Sequence, residues 1–227
     1  MANQLTFKSS TDTWYPASIS SLEAHLSVLI KPSNYFQDNQ TRPLNKNIAY
    51  NLQYVEFLDQ LLKDIKLSSV LEAQSIKSFV VHGASIIEAL FYYIVISTGN
   101  GAQTEWKSYR KFKSNQYEVK GDNFINETEL FIKVSPPIRV EMKFDQMCKK
   151  VEKKKLIGAV GDLYTEISKI RKLRNRIHIQ GIKHSTDTDW WTFNKDEFQL
   201  MRRVLYGILV SPLFSSSSHS TLFDYLK

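Results

Sequence analysis

The 227-residue chain contains a single cysteine, Cys148, and that scarcity removes two kinds of structure at once. No intramolecular disulfide can form, and no thiolate zinc cluster can be assembled within the chain. Six prolines and eight glycines are too few for a loop-rich all-β protein. Acid is in deficit, with 23 Asp and Glu against 30 Lys and Arg, for a formal charge of +7. An excess of this size favours a polyanionic partner without requiring one, because an ordinary solvated surface can carry it. No cationic-then-apolar leader opens the sequence, so a cytoplasmic protein is expected. In that compartment the N-x-[ST] matches at Asn39 and Asn126 carry no weight. A glycine-rich phosphate loop and internal repeats are both missing; "GNG" at 99–101 reads as a turn.

Long apolar runs are also rare, with one exception, "FVVHGASIIEALFYYIVI" at 79–96. Eighteen residues barely reach across a bilayer. Glu88 at mid-span would be penalised by about 2.5–3.5 kcal/mol on insertion. A buried core helix, with Glu88 held by a cation, is the expected reading, and no membrane partner is inferred.

The pattern along the chain predicts a mainly α protein. Residues 1–46 are polar and turn-rich ("TWYP", "KPSNYF", "TRPLN") and read as an N-terminal arm, in which only "SLEAHLSVLI" has helical spacing. From 47 to 67, Leu52, Val55, Leu58, Leu62 and Ile65 recur at steps of three and four, as in an amphipathic helix. Ser68 or Ser69 can cap a second helix running from about 70 to 97 and ending at Gly99. Between about 100 and 140 the sequence alternates and is rich in aromatic and β-branched residues, predicting a small antiparallel β-hairpin insertion with Pro136-Pro137 as its breaker. Helices return at "KFDQMCKKVEKKKLIG", at about 160–179, and at 195–210 behind a loop at 187–191. The helical domain thus covers 47–211, and 212–227 reads as a serine-rich C-terminal tail.

The helix at 160–179 carries an anomaly. "KIRKLRNRIHIQG", 169–181, holds five basic side chains and a histidine. At about 100° per residue, Leu163, Ile167, Ile170 and Ile177 share an arc of roughly 80°, the core-facing stripe. Arg174 falls inside that stripe, while His178, Arg171 and Asn175 form a polar band along one edge. Lys169, Lys172 and Arg176 lie on the opposite half, where solvent is expected. A guanidinium on a buried stripe is costly unless it is paired or faces a cleft. Two accounts remain open: a structural ion pair between Arg174 and Glu88, or a phosphate clamp beside a proton-transfer group. Arginine offers a planar fork matched to phosphate oxygens, and histidine exchanges protons near neutrality.

"LRNRIHI" resembles the signature of the HEPN superfamily (higher eukaryotes and prokaryotes nucleotide-binding), in which an arginine, usually followed by asparagine, precedes a histidine by four to six residues. The helix "HGASIIEALFYYIV" before "LYTEISKIRKLRNRIHI", and a further helix behind it, resemble HEPN proteins of toxin–antitoxin and abortive-infection systems. The resemblance covers roughly 47–98 and 141–210. It implies a HEPN-like helical bundle and a metal-independent endoribonuclease without cofactor. In such an enzyme the RNA 2′-hydroxyl attacks the adjacent phosphate, His178 is general acid or base, and an arginine stabilises the phosphorane. It also implies a homodimer with a composite cleft, and an antitoxin or other defence-system subunit as partner. Only three residues separate Arg174 from His178, and six separate Arg171 from it, so either arginine can be the phosphate ligand. The tyrosine of one antitoxin-modified subgroup is absent; Ile179 and Gln180 follow His178.

The catalytic candidates are therefore Arg174, His178, Arg171 and Asn175. Glu88 either holds an arginine in its working rotamer or forms a purely structural pair. Arg176 and the interleaved Trp106, Tyr109, Arg110 and Lys111 are candidate RNA contacts, being the residue types that pair phosphates and stack bases. His82 reads as a satisfied core histidine. A metal site from His178, His184, Asp187 and Asp189 is not favoured, and no nucleophile elbow supports a serine hydrolase.

Overall fold

A computed structural model describes residues 17–158, 162–177, 188–214 and 220–227. It is mainly helical, with helices α1 (Ile19–Leu26), α2 (Asp38–Asp64), α3 (Ser69–Ser97), α4 (Phe144–Lys154), α5 (Leu163–Arg174), α6 (Asp189–Thr192) and α7 (Lys195–Leu209). Strands β1 (Gln103–Lys113) to β4 (Glu127–Arg139) form an insertion between α3 and α4, with β2 (Tyr117–Val119) and β3 (Asp122–Phe124) at its tip.

α3 is the axis of the bundle, and α2, α4, α5, α6 and α7 all pack on it. Its second half is apolar on every side, and Ile86, Ile87, Leu90, Phe91, Val95 and Ile96 are all buried. This is the one helix among the described residues long and apolar enough to cross a membrane, and 67% of its most apolar stretch is buried by the chain's own helices. Gly83 lets α7 approach closely: a Cβ there would stand 2.6 Å from the buried Met201 sulfur.

The terminal segments depart from the expected arm and tail. α2 begins at Asp38, nine residues before the expected start, and runs through Pro43. The hydrogen bond that Pro43 cannot donate would have gone to Asn39, an exposed residue of the first turn. Upstream, Ser18 caps α1 by accepting from Ser21 N at 3.2 Å. Leu22, Leu26, Ile30 and Phe36 are core residues, and Tyr93 on α3 clasps the Lys31 backbone with both a donated and an accepted bond (2.8 and 2.9 Å). His25 is buried against Phe214, its Nε2 3.1 Å from the Leu209 carbonyl. At the other end, residues 220–226 form a 3-10 segment that buries Phe223 and Leu226.

A buried charge cluster ties that C-terminal segment to the bundle. Asp59 on α2 is 1% exposed, with Lys63 Nζ at 2.6 Å and Arg202 Nε of α7 at 3.3 Å. Arg202 also donates to the carbonyls of Tyr225 (2.5 Å) and Lys227 (2.9 Å).

β1 and β4 pair antiparallel from Gln103↔Arg139 to Lys113↔Glu127. Pro136 and Pro137 do not break the strand as expected. They fall in the register shift between Thr104↔Ile138 and Trp106↔Lys133, where regular ladder pairing is interrupted. A second difference concerns α5, which ends at Arg174 rather than continuing to 179; Asn175–Ile177 is a 3-10 turn.

Asp59→Ala should leave Arg202 buried without its counter-charge and lower the unfolding free energy by about 3–5 kcal/mol in a urea titration. Adding Arg202→Leu should recover most of that loss. An additive double variant would show that the two charges act separately.

Candidate functional site

The anomalous arginines sit at the C-terminal end of α5, where α3 and α4 converge on it. Arg174 Nη2 donates to Glu88 Oε2 of α3 at 3.0 Å. Arg171 is in direct contact with Asp145, in the first turn of α4. Both pairs stand at the margin of the core, with the Arg174 side chain 34% exposed and that of Arg171 19%. Each guanidinium is thus held by a carboxylate from a different helix, that of Asp145 shared with Lys149 at 2.9 Å, while keeping part of its surface in solvent. The ion pair between Arg174 and Glu88, one of the two accounts left open by the sequence, is present. Asp145, by contrast, gave no sequence signal beyond an acid in a helix first turn, because its partner lies 26 positions away.

Asn175 is exposed, in the 3-10 turn that follows. Arg176 is exposed and donates to Thr192 Oγ1 of α6 at 3.0 Å. His178, His184 and Asp187 lie outside the described residues. Because α5 stops at Arg174, the helical pitch that would have set His178 beside Arg174 is not continued by α-helix.

Asp189 opens α6. It accepts from Lys77 (2.8 Å) and Gln74 (2.9 Å) of α3, and although burial pushes its pKa up, those bonds outweigh burial and hold it below the usual carboxylate value. Among the described residues no three His, Cys, Asp or Glu side chains converge as metal ligands would. His82 stands 2.8 Å through Nδ1 from Asn51 Oδ1 and edge-on to Tyr54, and partial burial lowers its pKa.

The four strand residues expected to contact RNA do not share one surface. Residues directly opposite in the ladder project to the same face. Trp106 and Lys111 therefore project with Ser108, Lys113, Glu127, Glu129, Phe131 and Lys133. On that face Lys111 stands 3.7 Å from Glu129, and Ser108 donates to the same carboxylate at 2.5 Å. Arg110 lies on the other face with Lys107 and Phe112, its guanidinium 4.9 Å from the Phe112 ring centre. Tyr109 occupies the second register shift and is 71% exposed. The alternation of a strand separates neighbours that a linear motif treats as one cluster.

Comparison with protein-family models, curated proteins and solved structures finds no match to this chain. The HEPN resemblance accordingly stands on the sequence pattern around 169–181 and the helices flanking it.

Behind the arginine pairs lies Cys148 of α4, buried. Burial, with the Glu88 charge adding to it, pushes its thiol up to about 12. At pH 8 only about one thiol in ten thousand is then ionised. Iodoacetamide should fail to modify the native protein at pH 8 and should label it once denaturant unfolds the bundle, as read by mass spectrometry. Rapid native labelling would show that α4 opens locally or that the thiol is not shielded.

Proposed function

We propose that this chain is a metal-independent endoribonuclease of the HEPN type, acting as a toxin or antiviral effector. The observation that supports this reading best is the presentation of Arg171 and Arg174. Two guanidiniums three residues apart are each held by a carboxylate from a neighbouring helix, partly open to solvent, just before His178 in the chain. A fixed guanidinium loses less freedom when it meets a phosphate, which is how a carboxylate behind an arginine aids transition-state stabilisation. In this reading the substrate 2′-oxygen attacks the adjacent phosphorus and gives up its proton. The 5′-oxygen leaves and takes up a proton, with His178 serving as acid or base. The products are a 2′,3′-cyclic phosphate and a 5′-hydroxyl. Two copies of the chain bring their arginine edges together around one RNA linkage, and an antitoxin or other defence-system subunit restrains them.

A second reading has its own support. Glu88 and Asp145 already hold both arginines, and the helix ends at Arg174. A chain of this kind can bind RNA, or assemble with a defence complex, without cutting.

Cleavage of single-stranded RNA in EDTA decides between them. His178→Ala and Arg174→Ala should each reduce the rate by about 10²- to 10⁴-fold while circular dichroism shows the helical fold retained. Arg174→Ala should also lose some melting temperature, because it leaves Glu88 without its cation. Unchanged cleavage by both variants eliminates the proposed chemistry. A wild-type protein that binds RNA with steep salt dependence yet never cuts it supports the second reading.

A further inference from the structure

The face of α5 opposite the arginine pairs, which the helical pattern assigns to bulk solvent, is one wall of a groove. Lys169, Lys172 and Arg176 run along that wall, Trp191 of α6 and Glu197 of α7 stand across it, and Leu173 and Leu200 contribute apolar lining. The groove encloses about 630 Å³, within the range of sites that hold small ligands. Lys169 and Lys172 are exposed, and neither has a carboxylate within 4 Å among the described residues. Lys169 and Lys172 thus present two ammonium groups along this wall. Glu197 Oε2 is buried and meets no donor.

Trp191 is the second observation. Its side chain belongs to a residue that is 61% exposed, and it meets Trp190 edge-on at 4.6 Å. Among the described aromatic residues only Tyr109, on the β insertion, is more exposed, and Trp191 differs from it in standing across a groove from Lys169 and Lys172. Its position is fixed at both ends of α6: Asp189 is tied to Lys77 and Gln74 of α3, and Thr192 receives Arg176. The ring is therefore held in place at the rim rather than carried on a loop.

We infer that this groove binds single-stranded nucleic acid, with backbone phosphates on Lys169 and Lys172 and a base stacked on Trp191. A cationic track and an aromatic platform are the two components of sequence-tolerant single-strand binding. Single-stranded character follows from the platform, since a base paired in a duplex does not offer its face to a side chain. An acidic peptide would satisfy the lysines but leave the indole face without a planar partner. The site is separate from the Arg174 and Arg171 pairs and holds whether or not the chain cuts RNA.

The test uses the intact chain and a labelled 2′-O-methyl RNA oligonucleotide of about twelve residues, which cannot be cut by 2′-hydroxyl attack. Binding is read by fluorescence anisotropy over a series of salt concentrations. Lys169→Ala with Lys172→Ala should reduce the magnitude of the log K against log salt slope by about 1.4, two single-strand contacts at roughly 0.7 each. Trp191→Ala should weaken binding by about 5- to 150-fold, and Trp191→Phe should restore most of it. Unchanged affinity and slope in the groove variants overturns the inference, as does a loss confined to Lys107→Ala with Arg110→Ala on the β insertion. Competition by polyglutamate as effective as that by unlabelled oligonucleotide of equal charge also overturns it, in favour of an acidic protein segment.

Discussion

The structure depends on enclosing α3. A helix that is apolar on all sides over four turns cannot be left against water, since each large aliphatic side chain buried there contributes about 1.5–3 kcal/mol. Five other helices are arranged to cover it. One polar group travels into that environment with it, the Glu88 carboxylate. Its partner has to come from whichever helix passes closest, and α5 supplies Arg174. An apparent flaw in the α5 stripe is thus the counterpart of an apparent flaw in α3. Electrostatics here follows packing rather than directing it.

α5 consequently has two unlike sides. Toward α3 and α4 each of its arginines meets a carboxylate, Arg174 with Glu88 and Arg171 with Asp145, which Lys149 shares at 2.9 Å. Away from them its lysines face a groove walled by α6 and α7. The same basic segment therefore supplies both ordered, carboxylate-paired guanidiniums and uncompensated ammonium groups. Arginine suits the first task because its fork can accept a carboxylate on one edge and keep another edge available. Lysine, a mobile point charge, suits the second.

The ends of the chain close the bundle through different physics. Near the N-terminal side the contacts are aromatic and apolar, with Phe36 edge-on to Tyr92 and Tyr93 of α3. At the C-terminal side a buried aspartate gathers two cations, and one of those, Arg202, reaches the last carbonyls of the chain. The base of the β insertion reaches this closure through Arg139, which donates to the Tyr35 carbonyl at 2.7 Å. β1 and β4 are exposed on both faces over most of their length, so their pairing is held by the ladder and by cross-strand ion pairs such as Lys113–Glu127 and Lys133–Glu105.

Much of the architecture was legible in the order of residues. Periodicity located α3 and α7 to within a residue, and alternation located the strands, because both depend only on which side chains neighbour the core along one element. The stripe that singled out Arg174 was equally local, and so was the need for a cation near Glu88. Helical spacing in "SLEAHLSVLI" marked α1. The early start of α2 and the C-terminal 3-10 segment escaped notice, because polar, turn-rich segments bury their few apolar residues only when another helix is present to receive them. Asp145 beneath Arg171, the division of Trp106, Tyr109, Arg110 and Lys111 between two ribbon faces, and the groove beside Lys169 and Lys172 all required the third dimension. Sequence determined which residues must be hidden and which charges would be costly alone. Tertiary structure decided which charges meet and which remain open to a ligand, because those choices depend on how helices far apart in the chain come to lie side by side.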